Sequence, residues 1–291
     1  MSSELLQFIL SGVTLGATYT LAALGFSMIY NASGVINFAQ GEFIMVGGMA
    51  ASFLTAAGVP LPLACVLGVM VAGVIGWLIE RFAIAPARDA EVASIIIITI
   101  GVSMIVRGFT EILLGKGAYA LPHFSGEAPI ALAGATILPQ SLWVLAVCAL
   151  IVAGLGLFFG RTRIGKGVLA TSYNRLAAQL VGVDVRKVLT LSFVLSAAIG
   201  AVGGVLVTPI ATVSFDTGVM LGLKGFVAAT LGGLGSGPGA VFGGLFLGLI
   251  EALTAGYISS SYKDAVPFVL VFIVLVLRPQ GLLGAKPTDR I

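Results

Sequence analysis

Long uncharged runs separated by short charged punctuation define the pattern of this chain. Residues 5–41, 43–79, 128–160, 188–215 and 225–250 contain no charged side chain. A helix that crosses the hydrocarbon layer needs about 20 mostly apolar residues, so several of these runs hold one span and some hold two. Lipid offers no partner to a free backbone amide, which restricts spanning segments to helices or closed barrels. The runs are continuous rather than alternating in twos, and that selects helices. The pattern predicts helices over about 5–30, 38–57, 61–80, 92–114 and 140–160, then a polar interruption, then 188–208, 217–231, 239–256 and 265–277. The expected fold class is therefore all-α: a polytopic membrane helix bundle of about 8–9 segments, forming one domain over residues 1–291.

The division at 232–239 rests on Gly232-Gly233-Leu234-Gly235-Ser236-Gly237-Pro238-Gly239, a sequence too rich in glycine and proline for a helix interior. The segment before it, 217–231, rises only about 22 Å as a helix and falls short of a full crossing. Broken helices at membrane depth are tolerated where protein or a water-filled path surrounds them, which is a transporter feature. Glycine numbers 40, and several glycines lie four apart: Gly12/Gly16, Gly156/Gly160, Gly200/Gly204, Gly239/Gly243 and Gly244/Gly248. Such faces allow helix backbones to approach closely, within the bundle or between copies. Both halves carry a Gly-rich interrupted segment, Gly34–Gly48 and Gly225–Gly244, which points to an internal duplication of unassigned symmetry.

Composition agrees with the membrane reading. Apolar residues make up 58% and charged residues 9%, against about 25% charged in a soluble domain. The distribution of charge adds orientation. Residues 161–187 hold six of the fifteen basic residues against a single acid, Asp184, and by the positive-inside rule this loop is cytoplasmic. The tail with Arg278, Lys286 and Arg290 reads as cytoplasmic too, and the N-terminus, without Lys or Arg, as external. Five crossings bring the chain inside at Arg161, and an even number must follow. The start Met1-Ser2-Ser3-Glu4 lacks a cationic leader region, so the first apolar segment is expected to be retained. The net charge of +3 carries no indication of nucleic-acid binding, because the basic residues report orientation. Cys65 and Cys148 lie inside apolar runs without metal-ligand spacing and are expected to be inert thiols.

Enzyme motifs do not survive their context. Gly160–Gly167 nearly spells a phosphate-binding loop, but the hydroxyl position is Gly167 and a membrane helix precedes it where a strand is required. His123 stands alone in an external loop. No cofactor or metal site is expected, and no catalysis. The polar residues at membrane depth are the more informative: Asn37, Gln40 and Glu42 at the start of the second helix, and Arg107 with Glu111, four apart and placed for a local ion pair. Glu42 is expected in a first helical turn, where the dipole favours an acid by about 0.3–1 kcal/mol. Asp216, Lys224 and Glu251 flank the broken segment as gate residues or helix ends. In the basic loop, Leu169, Tyr173, Leu176, Ala177 and Leu180 follow helical spacing, with Asn174, Arg175 and Gln179 opposite; this amphipathic helix fits a lipid surface or a cytoplasmic partner.

Four segments carry a family resemblance. Ala177-Ala178-Gln179-Leu180-Val181-Gly182 resembles the Ala-Ala-x3-Gly core of the cytoplasmic loop in permeases of ATP-binding-cassette importers, with Leu176 where that pattern carries Glu. Leu24–Tyr30 followed by Gly34–Phe43, then Leu231–Ala240, and the ending Arg278–Gly284, resemble the branched-chain amino acid permeases of the LivH type across the whole chain. The resemblance implies an importer subunit in the bacterial inner membrane. It also implies a paralogous second permease or a second copy, two cytoplasmic ATPase subunits, and a periplasmic or lipid-anchored substrate-binding protein. In that picture Tyr173, Arg175, Ala177, Ala178 and Gly182 of the loop 161–187 form the ATPase-coupling element. Asn37, Gln40, Glu42, Arg107 and Glu111 are the candidate translocation-path or structural polar residues. The competing readings are a permease of the same family for amides, urea or other small solutes, and an ion-coupled carrier using Glu42, Arg107 and Glu111.

Overall fold

The computed structural model describes residues 2–88 and 90–284; Lys286 and Arg290, read above as part of a cytoplasmic tail, lie outside them. The elements follow the apolar runs: α1 (Ser2–Ser33), α2 (Gln40–Ala56), α3 (Leu61–Ile79, prolonged by a π turn over Glu80–Ile84), α4 (Val92–Leu114), α5 (Pro139–Arg161), α8 (Val185–Val207), α9 (Thr217–Gly232), α10 (Gly237–Tyr257) and α11 (Val266–Leu277). Among the described residues six helices are long and apolar enough to cross a membrane, and α9 and α11 are shorter apolar helices. The 17-residue α2 is short as well. The bundle is all-α, as expected, with one addition that the apolar pattern concealed. A small hairpin of β1 (Ile130–Leu132) and β2 (Ala135–Ile137) caps one end. Its turn is made by Ala133 and Gly134, both at positive φ.

Local chemistry sets the boundaries. Asp184 accepts from the backbone N–H groups of Arg186 and Lys187 at the start of α8, and Ser236 from Gly239 at the start of α10, satisfying amides that have no partner inside the helix. At the predicted break, Gly233 and Gly235 take φ of 106° and 84°, values that other residues rarely adopt, so α9 ends where the glycines allow the chain to turn. The basic loop departs from the prediction of a single amphipathic helix. It forms two, α6 (Arg163–Tyr173) and α7 (Arg175–Leu180), because Asn174 leaves helical geometry and its side chain accepts from the N–H of Ala177.

The small-residue faces are used selectively. A Cβ on Gly16 would stand 2.7 Å from the Leu245 Cα, and one on Gly248 would stand 2.2 Å from the Gly16 N, so α1 and α10 lie backbone against backbone. Gly204 meets α2 in the same way, its Cβ 1.9 Å from the Ile44 carbonyl oxygen. Gly156 and Gly160 meet nothing within 4 Å and leave an open face on α5.

The symmetry left unassigned above becomes visible in the packing. Helix α1 runs along α10 as α8 runs along α3; α2 packs on α8 as α9 packs on α1; and α2 and α9 touch each other. Exchanging α1–α4 for α8–α11 maps this pattern onto itself. The directions are opposed. Gln7 near the start of α1 bonds Thr136 of the hairpin, whereas the end of α1 meets Arg175 beside α7, the end from which α8 departs. Tyr119 pairs with Val213, which places the α8–α9 connection at the hairpin end. The fold is thus an inverted repeat, with α5–α7 inserted between its halves.

Candidate functional site

Two regions collect the candidate residues: the crossing of α2 and α9 inside the bundle, and the end formed by α6 and α7. Helix α2 starts in the interior, so its first turn carries polar side chains where none would otherwise be tolerated. Asn37 accepts from the Ala39 N–H at 3.1 Å and turns the chain into the helix. The Gln40 side chain crosses to α8, donating to the Ser196 carbonyl at 3.2 Å, while its Oε1 lies 2.6 Å from the Ser196 hydroxyl. Gly25 of α1 makes room for it, since a Cβ there would stand 2.0 Å from Gln40 Nε2.

Glu42 is 1% exposed and stands in the first turn of α2, as expected. Its Oε1 accepts from the Ser103 hydroxyl at 2.7 Å and from Arg107 Nη2 at 3.0 Å. The expected Arg107–Glu111 pair is therefore corrected. Arg107 turns across the helix interface to Glu42, and Glu111 pairs with Lys116 at 3.1 Å in a half-exposed position. The buried carboxylate needs a countercharge far more than one that water still reaches, so solvation overrides helical proximity. Glu42 Oε2, Arg107 Nε and Asn37 Nδ2 are buried with no hydrogen-bond partner.

A second cluster gathers residues placed singly from the sequence. Lys224 of α9 donates to Glu251 of α10 at 2.8 Å, to Asp264 in the α10–α11 connection at 2.6 Å, and to the Tyr19 hydroxyl at 3.3 Å. Tyr19 in turn donates to Glu251 at 2.8 Å. Lys224 and Glu251 are thus a closed ionic network rather than helix ends. Asp216 remains apart, bonded locally to the Ser214 hydroxyl. Tyr19, Ser103, Ser196 and Asp264 escaped the sequence reading; a hydroxyl in an apolar run carries no signal of what it faces. The hydrogen bond from Lys224 holds the Asp264 carboxyl below the usual carboxylate range. Cys65 and Cys148 are free thiols.

At the other end of the bundle the apolar side of the basic loop faces outward. Tyr173, Leu176 and Leu180 are 83%, 73% and 88% exposed, and Val181 is open as well. The inner side is instead made by Val168, Thr171 and Ala178. Ala177 is exposed, whereas Ala178 packs inward. Gly182 has φ +88° with open space around it, and the next amide, Val183, returns to the Ala178 carbonyl at 2.9 Å. Arg175, placed by helical spacing opposite the apolar side, reaches back to the end of α1, donating to the carbonyls of Ala32 at 3.2 Å and of Ser33. It thereby satisfies carbonyls that a helix C-terminus leaves free. A cavity of about 980 Å³ opens beside this contact, lined by Tyr30, Asn31, Arg88 and Arg175 among others.

These features belong to a transport protein. The family model for branched-chain amino acid transport system permease components matches residues 8–275. The chain is 36% identical to the high-affinity branched-chain amino acid transport system permease protein LivH of Escherichia coli K12, over the full length of both. It is 34% identical to the permease protein BraD of Pseudomonas aeruginosa, covering 98% of each. A solved chain of PsaBC from Streptococcus pneumoniae, in complex with Fab, shares the fold with a TM-score of 0.52 at 15% identity, over 96% of this chain and 97% of that one. The protein is a multi-pass inner-membrane permease and not an enzyme. The chain belongs to the family of branched-chain amino acid transport system permease components.

Proposed function

We propose that the chain is the membrane-spanning subunit of an ATP-driven importer of branched-chain amino acids, and that α6 and α7 are where the ATPase docks. One observation carries the docking reading: Tyr173, Leu176, Leu180 and Val181 project an apolar row outward, beyond the ends of the spanning helices. A helix resting passively against its own bundle would turn those side chains inward. The full complex then contains two cytoplasmic ATPase subunits, a second permease subunit (a paralogue or another copy) and an external substrate-binding protein. Charge supports the orientation. Arg81, Arg88, Arg161, Arg163, Lys166, Arg175, Arg186, Lys187 and Arg278 cluster toward the α6–α7 end, which faces the cytoplasm by the positive-inside rule, while the N-terminus of α1 lies with the hairpin outside.

Within the docking element the roles divide. Leu176, Leu180 and Tyr173 make contact, Ala178 and Gly182 shape α7, and Arg175 ties the element to α1. Through α1 and residues 34–39 a push on α7 reaches Asn37, Gln40 and Glu42. The test is co-purification of the ATPase with the permease from membranes. Leu180→Glu abolishes co-purification and uptake while membrane insertion stays normal. An L180E protein that still holds its ATPase and transports at the wild-type rate overturns the docking assignment.

A further inference from the structure

A cavity of about 160 Å³ lies between α2, α4 and α9. Glu42, Ser103 and Arg107 supply its polar wall, and Phe38, Ile100 and Leu223 are among its apolar lining. It is well below the roughly 300–1,000 Å³ of sites for drug-sized ligands and has room for one small solute. The ion pair beside it is only half used. A guanidinium and a carboxylate in a fixed structural pair commonly engage through two parallel hydrogen bonds. Here a single Nη2–Oε1 contact joins them, and Glu42 Oε2 and Arg107 Nε have no partner. Glu42 Oε2 is aimed at the first turn of α9, where a Cβ on Gly218 would stand 2.9 Å from it. That turn presents the positive end of a helix to the same cavity, and Gly218 and Gly222 line it.

A carboxylate with one free oxygen, a guanidinium with a free Nε–H, a helix N-terminus and an apolar wall together complement one ligand class: a zwitterionic α-amino acid with an aliphatic side chain. A simple anion would be repelled by Glu42. A bound cation would lack a second carboxylate, since Glu42 is the one acid among the residues that line the cavity. We propose that this cavity is a transit site for the amino acid, in which Glu42 receives the ammonium group, Arg107 the carboxylate, and Phe38, Ile100 and Leu223 the side chain. The inference rests on the permease reading above and places the solute within this subunit. Both unmatched atoms are covered in the present conformation, so the site accepts the solute only when α4 moves off α2 and α9.

The experiment measures uptake of valine, leucine and phenylalanine, together with ATP hydrolysis, by the complete complex in proteoliposomes. Leu223→Ala, with Ile100→Ala as a second variant at a half-exposed position, cuts back the apolar wall and enlarges the cavity. Each shifts the phenylalanine-to-leucine uptake ratio upward by roughly tenfold, the discrimination that a small change in an apolar pocket commands. Glu42→Gln lowers uptake of all three amino acids by a similar factor. Wild-type ratios in both wall variants overturn the transit site, as does a parallel fall of uptake and ATP hydrolysis with ratios unchanged. A wild-type complex that takes up none of these amino acids overturns the permease reading itself, and the transit site with it.

Discussion

Glu42 shows how one charge is held at membrane depth. Burying a lone carboxylate in apolar surroundings is costly. The sequence supplies a first-turn position on α2, a hydroxyl from Ser103 and a guanidinium from Arg107 on α4. Removing one partner from a buried pair leaves the other uncompensated at about 3–5 kcal/mol. Arg107→Leu is accordingly expected to lower the thermal midpoint of the purified protein clearly more than Glu111→Leu, whose pair with Lys116 is partly exposed and contributes about 0–1 kcal/mol. Asp264 gives the pH dependence. Its carboxyl is held below its ordinary value by Lys224, so its contribution is present above that ordinary value and is lost as pH falls through the depressed one. Hydrogen-exchange protection in 258–265, taken relative to the intrinsic rate at each pH, should stay flat from neutral pH down to about 4 and fall below it; Asp264→Asn should remove that pH dependence. Glu42 was conspicuous in the sequence as a lone charge in a long apolar stretch. Its partner was not, because helical spacing favoured Glu111 and only the folded bundle reveals which carboxylate lies in the dry interior.

At the scale of elements, apolar runs and glycine breaks were legible to within a few residues. The 232–239 break was visible because glycines at positive φ and a proline leave a helix no alternative course. The basic loop was legible as an amphipathic segment but not as two helices. Periodicity locates an amphipathic face but does not say whether the bundle or a partner covers it, and the cap at Asn174 then split the helix in two. Glycine spacing had the same ambiguity, and the packing now separates its members. Gly248→Leu must drive α10 off α1, where backbone meets backbone, and is expected to lower stability by at least the roughly 1–3 kcal/mol typical of overpacking. Gly156→Leu, which meets nothing within 4 Å, is expected to be nearly neutral. Equal loss of folded protein from the two variants in a detergent thermal-shift series would refute this division.

At the scale of the molecule, two inverted halves bring the starts of two short helices, α2 and α9, together inside the bundle, and α1 connects that crossing to α7 through Arg175. The duplication was only hinted at in the sequence, because helix exchange preserves packing geometry rather than residue identity. The orientation makes its own prediction: Gln179→Cys reacts with an impermeant thiol reagent only from the cytoplasmic side, and Glu127→Cys only from outside. On the proposed function the chain moves solute with energy borrowed from an ATPase seated on α6 and α7. Leucine uptake into proteoliposomes tests it most directly, comparing the complete complex with this chain alone, with and without ATP on the ATPase side. Uptake is expected from the complex only with ATP, and from the isolated chain under no ion gradient. Ion-driven uptake by the chain alone, unaffected by Leu180→Glu, would contradict it.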